Sequence, residues 1–282
     1  MKILITGGAG FIGSNLTNKL ISDNNRVTII DNFSTGKREN VNPAAYCWEQ
    51  DLSTVDHDTL CEYVKDVDVV FHLAAIARIQ PSFEKPEKYI ETNFNGTYNI
   101  VKACARFGIP MIYGGSSSHH SGRFKNPYTF SKDLGEDVIK LYQEVYNLKA
   151  TVARFYNVYG PNQLTEGGYT TLIGRWLNNI ENNIECEIYG DGEKRRDFTH
   201  VDDIIDGLIK IMEWKEYGEV FEFGRGKNYS VNEVANMFNI KPTYKEDKPG
   251  EAFTTLADFK LAKYRLGWEP KINLEDYIKG QL

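Results

Sequence analysis

The chain has 282 residues, 41% of them hydrophobic, and a formal net charge of −6. That is enough chain and apolar content for one large or two modest globular domains with a real core. The acidic balance excludes general affinity for nucleic acid, which rests on a basic surface neutralising phosphates, and no apolar run approaches the roughly 18–20 residues of a membrane-spanning helix.

Cys47, Cys61, Cys104 and Cys186 lie far apart, with no CxxC pair or Cys/His cluster. They read as small buried thiols, and no metal site is expected. Met1 leads almost at once into a strand pattern, which leaves no room for a signal peptide and makes the cytoplasm the expected compartment.

The first run, KILITGG, reads as a short buried strand. FIGSNLTNKLISDN then places Ile12, Leu16, Leu20 and Ile21 at helical spacing. RVTIIDN, DVDVVFHLAA, GIPMIYGG and KATVARFYNV read as further strands, separated by helical patterns that include 86–107 and 128–146. Strand and helix thus alternate over residues 1–160. That predicts a Rossmann-type α/β fold with a doubly wound parallel sheet, because each parallel crossover needs a helix. After Pro161 the rhythm loosens at Gly167–Gly168, Asn178–Asn179 and Gly190–Gly192. A helix near 202–214, a strand near 220–223 and small helices follow. Residues 161–282 are expected to form a smaller substrate-binding α/β domain, with some segments returning to the first.

Residues 7–13, GGAGFIG, set Gly7, Gly10 and Gly13 at GxxGxxG spacing between a strand and a helix. Small residues there permit a tight turn, close approach of a pyrophosphate and close helix–strand packing. Free N–H groups at the helix start then face the phosphates. Asp31 ends the second strand at about the offset where an acid meets the adenosine ribose hydroxyls. A carboxylate there repels a 2′-phosphate and favours NAD over NADP. Lys37 and Arg38 are close enough to soften that preference, and read otherwise as solvated loop charges.

Tyr128 and Lys132 stand at i and i+4 on a predicted helix, behind Pro127 at its first position. A nearby ammonium favours the phenolate and lowers its pKa, which makes tyrosine a general acid/base near neutrality. A hydroxyl from the preceding serine cluster, YGGSSSHHS, can bind the same substrate oxygen.

These motifs, with FHLAA, NFNGTYNI, YTFSK, RFYNVYGPNQ, GDGEKRRDFTHVDD, KPGE and LGWEP, resemble the extended short-chain dehydrogenases/reductases of the nucleotide-sugar epimerase/dehydratase family. The resemblance implies that Gly7, Gly10, Phe11, Ile12 and Gly13 cradle NAD. Asp31 and Asn32 would hold the ribose, Asp51 and Leu52 flank the adenine, and Leu73, Ala74 and Ala75 line the cofactor's path. Lys132 would bind the nicotinamide ribose, Tyr128 act as base and Ser116 assist it. Ser117 and Ser118 would lie near the sugar, and Asn157, Arg196 and Lys248 meet the sugar-nucleotide diphosphate. Lys248 stands where relatives usually carry Arg, which keeps the charge and loses the bidentate fork. His120 and Ser121 replace the usual Tyr-Gly, and the segment from Ser116 to Tyr128 is shorter than in relatives.

His119 and His120 read as polar loop residues beside the pocket rather than catalytic groups, since Tyr128 already handles the proton. His72 and His200 read as structural hydrogen-bonders, and His57 as a helix-start residue. The 4,6-dehydratases of the resembled family carry acids after the catalytic Thr, and the decarboxylases a Glu; here stand Ser117, Ser118 and His119. A UDP-sugar 4-epimerase acting through a 4-keto sugar is therefore expected. Dehydratase, keto-sugar reductase and non-catalytic dinucleotide sensor remain as alternatives. The partners implied are a UDP-linked sugar and, through helices 86–107 and 128–146, a second copy in a homodimer.

Overall fold

In the computed structural model, which describes residues 1–282, seven parallel strands build one sheet. Its first six strands come in turn as β1 (Lys2–Thr6), β2 (Arg26–Asp31), β3 (Tyr46–Glu49), β4 (Val69–His72), β5 (Met111–Ser116) and β6 (Ala150–Phe155). Between them run α1 (Phe11–Ser22), α2 (His57–Val64), α3 (Gln80–Glu84), α4 (Pro86–Tyr89), α5 (Gly96–Phe107) and α6 (Pro127–Tyr146). Next come β7 (Val158–Tyr159), α7 (Leu172–Glu181), β8 (Glu187–Tyr189), β9 (Arg195–Asp197), β10 (Thr199–His200), α8 (Val201–Trp214) and β11 (Val220–Phe223). The chain closes with β12 (Asn228–Ser230), α9 (Val231–Met237), β13 (Thr243–Lys245), α10 (Lys260–Leu266) and α11 (Leu274–Gln281).

The strand order is β11-β6-β5-β4-β1-β2-β3. From β1 the chain steps outward to β3, then crosses back to β4 and proceeds the other way. The switch point therefore lies between β1 and β4, where Ile3 faces Val69 and Thr6 faces His72. Ligands of doubly wound sheets collect outside the carboxyl ends of the strands at that point.

Strands covered on both faces read as continuous apolar runs, and alternate residues serve opposite layers. Ile3, Ile5, Ile29 and Phe71 pack with Leu16 and Leu20 of α1 and with Val201, Ile204 and Leu208 of α8. Leu4, Ile30 and Val70 pack on the other face with Leu60 and Val64 of α2, Ile100 and Cys104 of α5 and Ile139 of α6. Each fully buried Leu or Ile contributes about 1.5–3 kcal/mol of burial. A third core holds Tyr159, Ile173, Trp176, Ile188, Phe198, Tyr229, Phe238 and Leu274. The chain leaves the sheet for this core after β6 and returns twice. It does so first with α8 against α1 and β11, which pairs with β6 from Val220–Val152 to Phe223–Phe155, and again with α10, where Ala262 and, just past the helix, Trp268 join the first core.

The stretch expected as one helix over 86–107 contains a wider, π-type turn at Ile90–Asn95 between α4 and α5. Such turns recur at functional sites because they re-aim a side chain. Here Asn93 is fully buried and bonds both Ile76 N–H (2.8 Å) and Ile76 carbonyl (3.0 Å), and it reaches Ser131 Oγ of α6 (3.0 Å). The start of α6 follows its sequence: Pro127 is its first residue, and the Asn126 side chain caps it by accepting from Thr129 N–H at 2.8 Å. All four cysteines are free thiols, and Cys61, Cys104 and Cys186 are buried.

Candidate active site

A cavity of about 1230 Å³ opens at the carboxyl ends of the strands, between the sheet and the third core. It exceeds the roughly 300–1,000 Å³ of a single-ligand pocket, as suits two ligands side by side. Every residue singled out from the sequence as a candidate site residue lines it.

At one end lies the glycine turn. Gly7 adopts φ +71, and a Cβ there would stand 2.8 Å from Ala74 backbone atoms. A Cβ on Gly13 would stand 2.1 Å from the Gly7 carbonyl oxygen, so α1 can cross the turn this closely only without one. Gly10 caps α1 in extended conformation and offers no side chain. The first N–H groups of the helix, which have no intrahelical acceptor, are thereby left for an anion.

Asp31 accepts from Ala9 N–H (2.9 Å) and Phe33 N–H (2.8 Å). Burial raises its pKa and these N–H groups pull against it. Asn32 donates to Asp51 at 2.8 Å, and Ser53 donates to the same carboxylate through N–H (2.9 Å) and Oγ (2.6 Å). Burial pushes Asp51 up, but these bonds outweigh it and hold the carboxyl below its ordinary value. Lys37 and Arg38 are both exposed and taken by carboxylates, Glu39 at 3.2 Å and Glu49 at 2.6 Å. The turn, the orphan N–H groups and the acidic strand end fit a dinucleotide.

The switch point is braced by a buried relay whose proton directions follow from bookkeeping. The Thr97 hydroxyl gives its one proton to the Asn93 carbonyl (2.6 Å), so it accepts from His72 Nε2 (2.9 Å). His72 Nδ1 is then an acceptor for the Thr6 hydroxyl (2.7 Å), whose oxygen receives Ala74 N–H (3.2 Å). Burial, with a smaller push from the Lys132 charge, lowers the His72 pKa to about 3. His200 is likewise structural: its Nδ1 accepts Asp202 N–H at the start of α8. His57 opens α2, behind the Asp56 cap.

In mid-cavity the Tyr128 phenol donates to Ser116 Oγ at 3.2 Å. Ser116 Oγ also accepts Ser118 N–H at 3.2 Å, which leaves the serine's own proton for a ligand. Lys132 Nζ donates to the Gly114 carbonyl at 2.7 Å and lies 4.1 Å above the Tyr113 ring. One expectation is corrected here. The phenol is not acidified by Lys132: burial raises its pKa, and the opposing influences are the Ser116 bond and the Arg78 charge. Lys132 bonds the strand instead of the phenol, and burial lowers its own pKa to about 7.

His119 and His120 are not part of the cavity lining. His119 Nδ1 pairs with Asp133 at 2.9 Å and His120 Nε2 with Glu222 at 2.5 Å. Glu222 also accepts from the Tyr156 hydroxyl (2.8 Å) and Asp258 N–H (2.9 Å). The two imidazoles pin the turn after β5 from behind.

At the far end the Asn157 amide donates to the Asp197 carbonyl (2.9 Å) and Thr255 Oγ1 (3.2 Å), so only its oxygen is left for a ligand. Arg196 pairs with Glu251 at 3.0 Å and donates to the Arg195 and Phe253 carbonyls. Lys248 stands 3.4 Å above the Tyr189 ring with no carboxylate partner. Sequence reading missed four lining cations, Arg78, Lys85, Arg175 and Lys194. Arg78 is held by the Tyr169 carbonyl from the other half of the chain, a contact that no local motif announces.

Residues 3–224 match the family model described as "NAD dependent epimerase/dehydratase family". The chain is 35% identical over 297 residues to a putative UDP-glucose 4-epimerase of Methanocaldococcus jannaschii, covering 98% of this chain and 96% of that protein. Its fold superposes on the UDP-glucose 4-epimerase of Thermotoga maritima, solved with UDP-glucose, with a TM-score of 0.92 at 32% identity over 99% and 96% of the two chains. The Thermus thermophilus UDP-glucose 4-epimerase, solved with NAD, gives 0.88 at 25% identity over the full length of both. A cradle that admits no Cβ, in a chain matched over this length, settles the family: this protein belongs to the NAD-dependent epimerases/dehydratases, and NAD is its cofactor.

Proposed function

We propose that the chain is an NAD-dependent UDP-sugar 4-epimerase. The observation that carries this reading is the turn after β5. Tyr128 and Ser116 supply the proton-handling pair, while Ser117, Ser118 and His119 offer no carboxylate for eliminating water or steering decarboxylation.

NAD, when bound, supplies a reversible two-electron acceptor. The chain's own residues do the rest. Tyr128, after losing its own phenolic proton to solvent, takes the proton of the sugar 4-hydroxyl as phenolate and returns it to the 4-keto sugar after the ring has turned over. Ser116 holds the same oxygen with the proton it has free. Lys132, charged near neutrality only in part while buried, is positioned to meet a ribose hydroxyl. Lys248, Arg175 and the Arg196–Glu251 pair flank the diphosphate, so charge-assisted bonds hold the unreactive end while the sugar rotates.

The test is incubation with UDP-glucose, UDP-galactose and their N-acetylated counterparts, without added reductant, and chromatography of the products. Interconversion of 4-epimers is expected. A 6-deoxy-4-keto product would make the enzyme a dehydratase, and stoichiometric NAD(P)H consumption a reductase.

We assign a homodimer through α5 and α6. Their outer faces expose Tyr98 (40%), Leu141 (52%) and Val145 (57%), apolar surface suited to a four-helix contact. A monomeric mass by light scattering would refute it.

A further inference from the structure

We propose that Arg78 builds an anion subsite at the sugar end of the cavity, and that the preferred substrate is a nucleotide sugar with a carboxylate on its sugar. This rests on the nucleotide-sugar reading above and narrows it.

Arg78 lines the cavity, and its only side-chain bond runs from Nε to the Tyr169 carbonyl at 3.1 Å. The rest of the guanidinium has no protein acceptor and no carboxylate partner. Other lining cations differ. Arg196 is paired with Glu251 and Lys194 with Asp247. Lys85 is exposed to solvent. Lys248 and Arg175 have no carboxylate, and together they match the two charges of a diphosphate. Arg78 is therefore a cation beyond what the diphosphate needs. Glu84 and Glu166, which also line the cavity, are exposed and make no ion pair with Arg78, and Glu251, the carboxylate whose charge reaches it, is paired with Arg196.

Its place is tied to the reacting phenol. The Tyr89 hydroxyl shares its one proton between the Ala77 and Arg78 carbonyls, each at 2.9 Å, and the Tyr89 ring meets Tyr128 edge-on at 6.1 Å. The Arg78 backbone is held at φ +88, a region costly for any side-chain-bearing residue. Glycine would make that turn without strain but would leave no guanidinium. A second group points the same way. Ser118, 8% exposed, lines the cavity, and its Oγ is buried with no partner. A planar fork and a hydroxyl together suit a carboxylate, and a neutral sugar would leave both unsatisfied.

The test compares kcat/KM of the holoenzyme for two matched pairs, UDP-glucuronate against UDP-glucose and UDP-N-acetylmuramate against UDP-N-acetylglucosamine. The acid of at least one pair is expected to lead by about 10-fold or more, because an unpaired polar group in a site penalises the ligand that lacks its partner. The pair that shows the preference identifies where the carboxylate sits. Arg78→Gln should bring the ratio near unity, mainly through KM, and Arg78→Lys should restore part of it. Preference for the neutral sugar in both pairs overturns the proposal, as does a ratio that Arg78→Gln leaves unchanged. Should Arg78→Gln fail to fold, the wild-type ratios and Arg78→Lys decide.

If no nucleotide sugar turns over while NAD stays bound, the epimerase reading fails by itself. Calorimetric affinities of the same four ligands then decide the subsite. A UDP-pentose formed from UDP-glucuronate would replace epimerisation by decarboxylation and support the subsite.

Discussion

Tyr128 and Lys132 lie one turn apart on α6, yet their tips part: the phenol bonds Ser116 Oγ at 3.2 Å and the ammonium bonds the Gly114 carbonyl at 2.7 Å. Both therefore dock onto the end of β5, which places the proton-handling group in the middle of the cavity. The shared helical face brings them to the same strand rather than to each other.

Tyr128→Phe removes the phenolic proton carrier and keeps the ring against Tyr89. Turnover should fall by about 10²–10⁴-fold, the usual worth of a positioned acid/base. Bound NAD, read by its absorbance after denaturation, should match the wild type. Retained turnover would mean that another group moves the proton; absence of turnover in the wild type, with NAD still bound, would reopen the sensor alternative.

His119→Asn with His120→Asn should leave kcat within about 3-fold, because both imidazoles face carboxylates behind the turn. Their side chains are 40% and 49% exposed, so each pair is worth about 1 kcal/mol or less. A small fall in Tm is expected. A drop in kcat beyond 10-fold would show that an imidazole reaches the substrate.

The His72 relay predicts a pH dependence of stability. Folded His72 titrates near 3 and the unfolded residue near 6.5. Between those values the unfolded chain binds the extra proton, so stability is lost as pH falls from about 6.5 toward 3. The slope from this residue is about 1.4 kcal/mol per pH unit at most. Urea midpoints at pH 7 and pH 5 measure it. A His72→Gln variant should show a shallower decline, and an equal slope would refute the assignment.

Gly13→Ala places a methyl 2.1 Å from the Gly7 carbonyl oxygen, a backbone atom that cannot swing aside. Moving α1 away should cost about 1–3 kcal/mol of stability. NAD affinity should fall at least about 10-fold, since one helix-terminal contact with the pyrophosphate is worth 1.4 kcal/mol or more. Equilibrium dialysis of the cofactor checks this; unchanged affinity would place the pyrophosphate elsewhere.

Local pattern was enough for the parallel sheet, because strands buried on both faces and crossover helices leave runs and periods that a single sequence displays. It was enough as well for the glycine turn, where steric demand names the residue, and for the capped start of α6, where Asn126 and Pro127 act within one turn. The π-turn at Ile90–Asn95 left no such trace, since the helical period around it is nearly preserved. Nor does any neighbouring residue announce that Arg78 takes a left-handed backbone.

Sequence alone thus determined which segments are strands and helices and which glycines the dinucleotide turn requires, for these depend on neighbours a few residues apart. Only the tertiary structure decided where each polar tip goes: Lys132 to Gly114, the two histidines to Asp133 and Glu222, and Arg78 into the cavity with the Tyr169 carbonyl and no carboxylate. Those choices are made by groups far apart along the chain. A buried charge takes whichever partner folding brings within reach, and nothing in its local sequence names that partner.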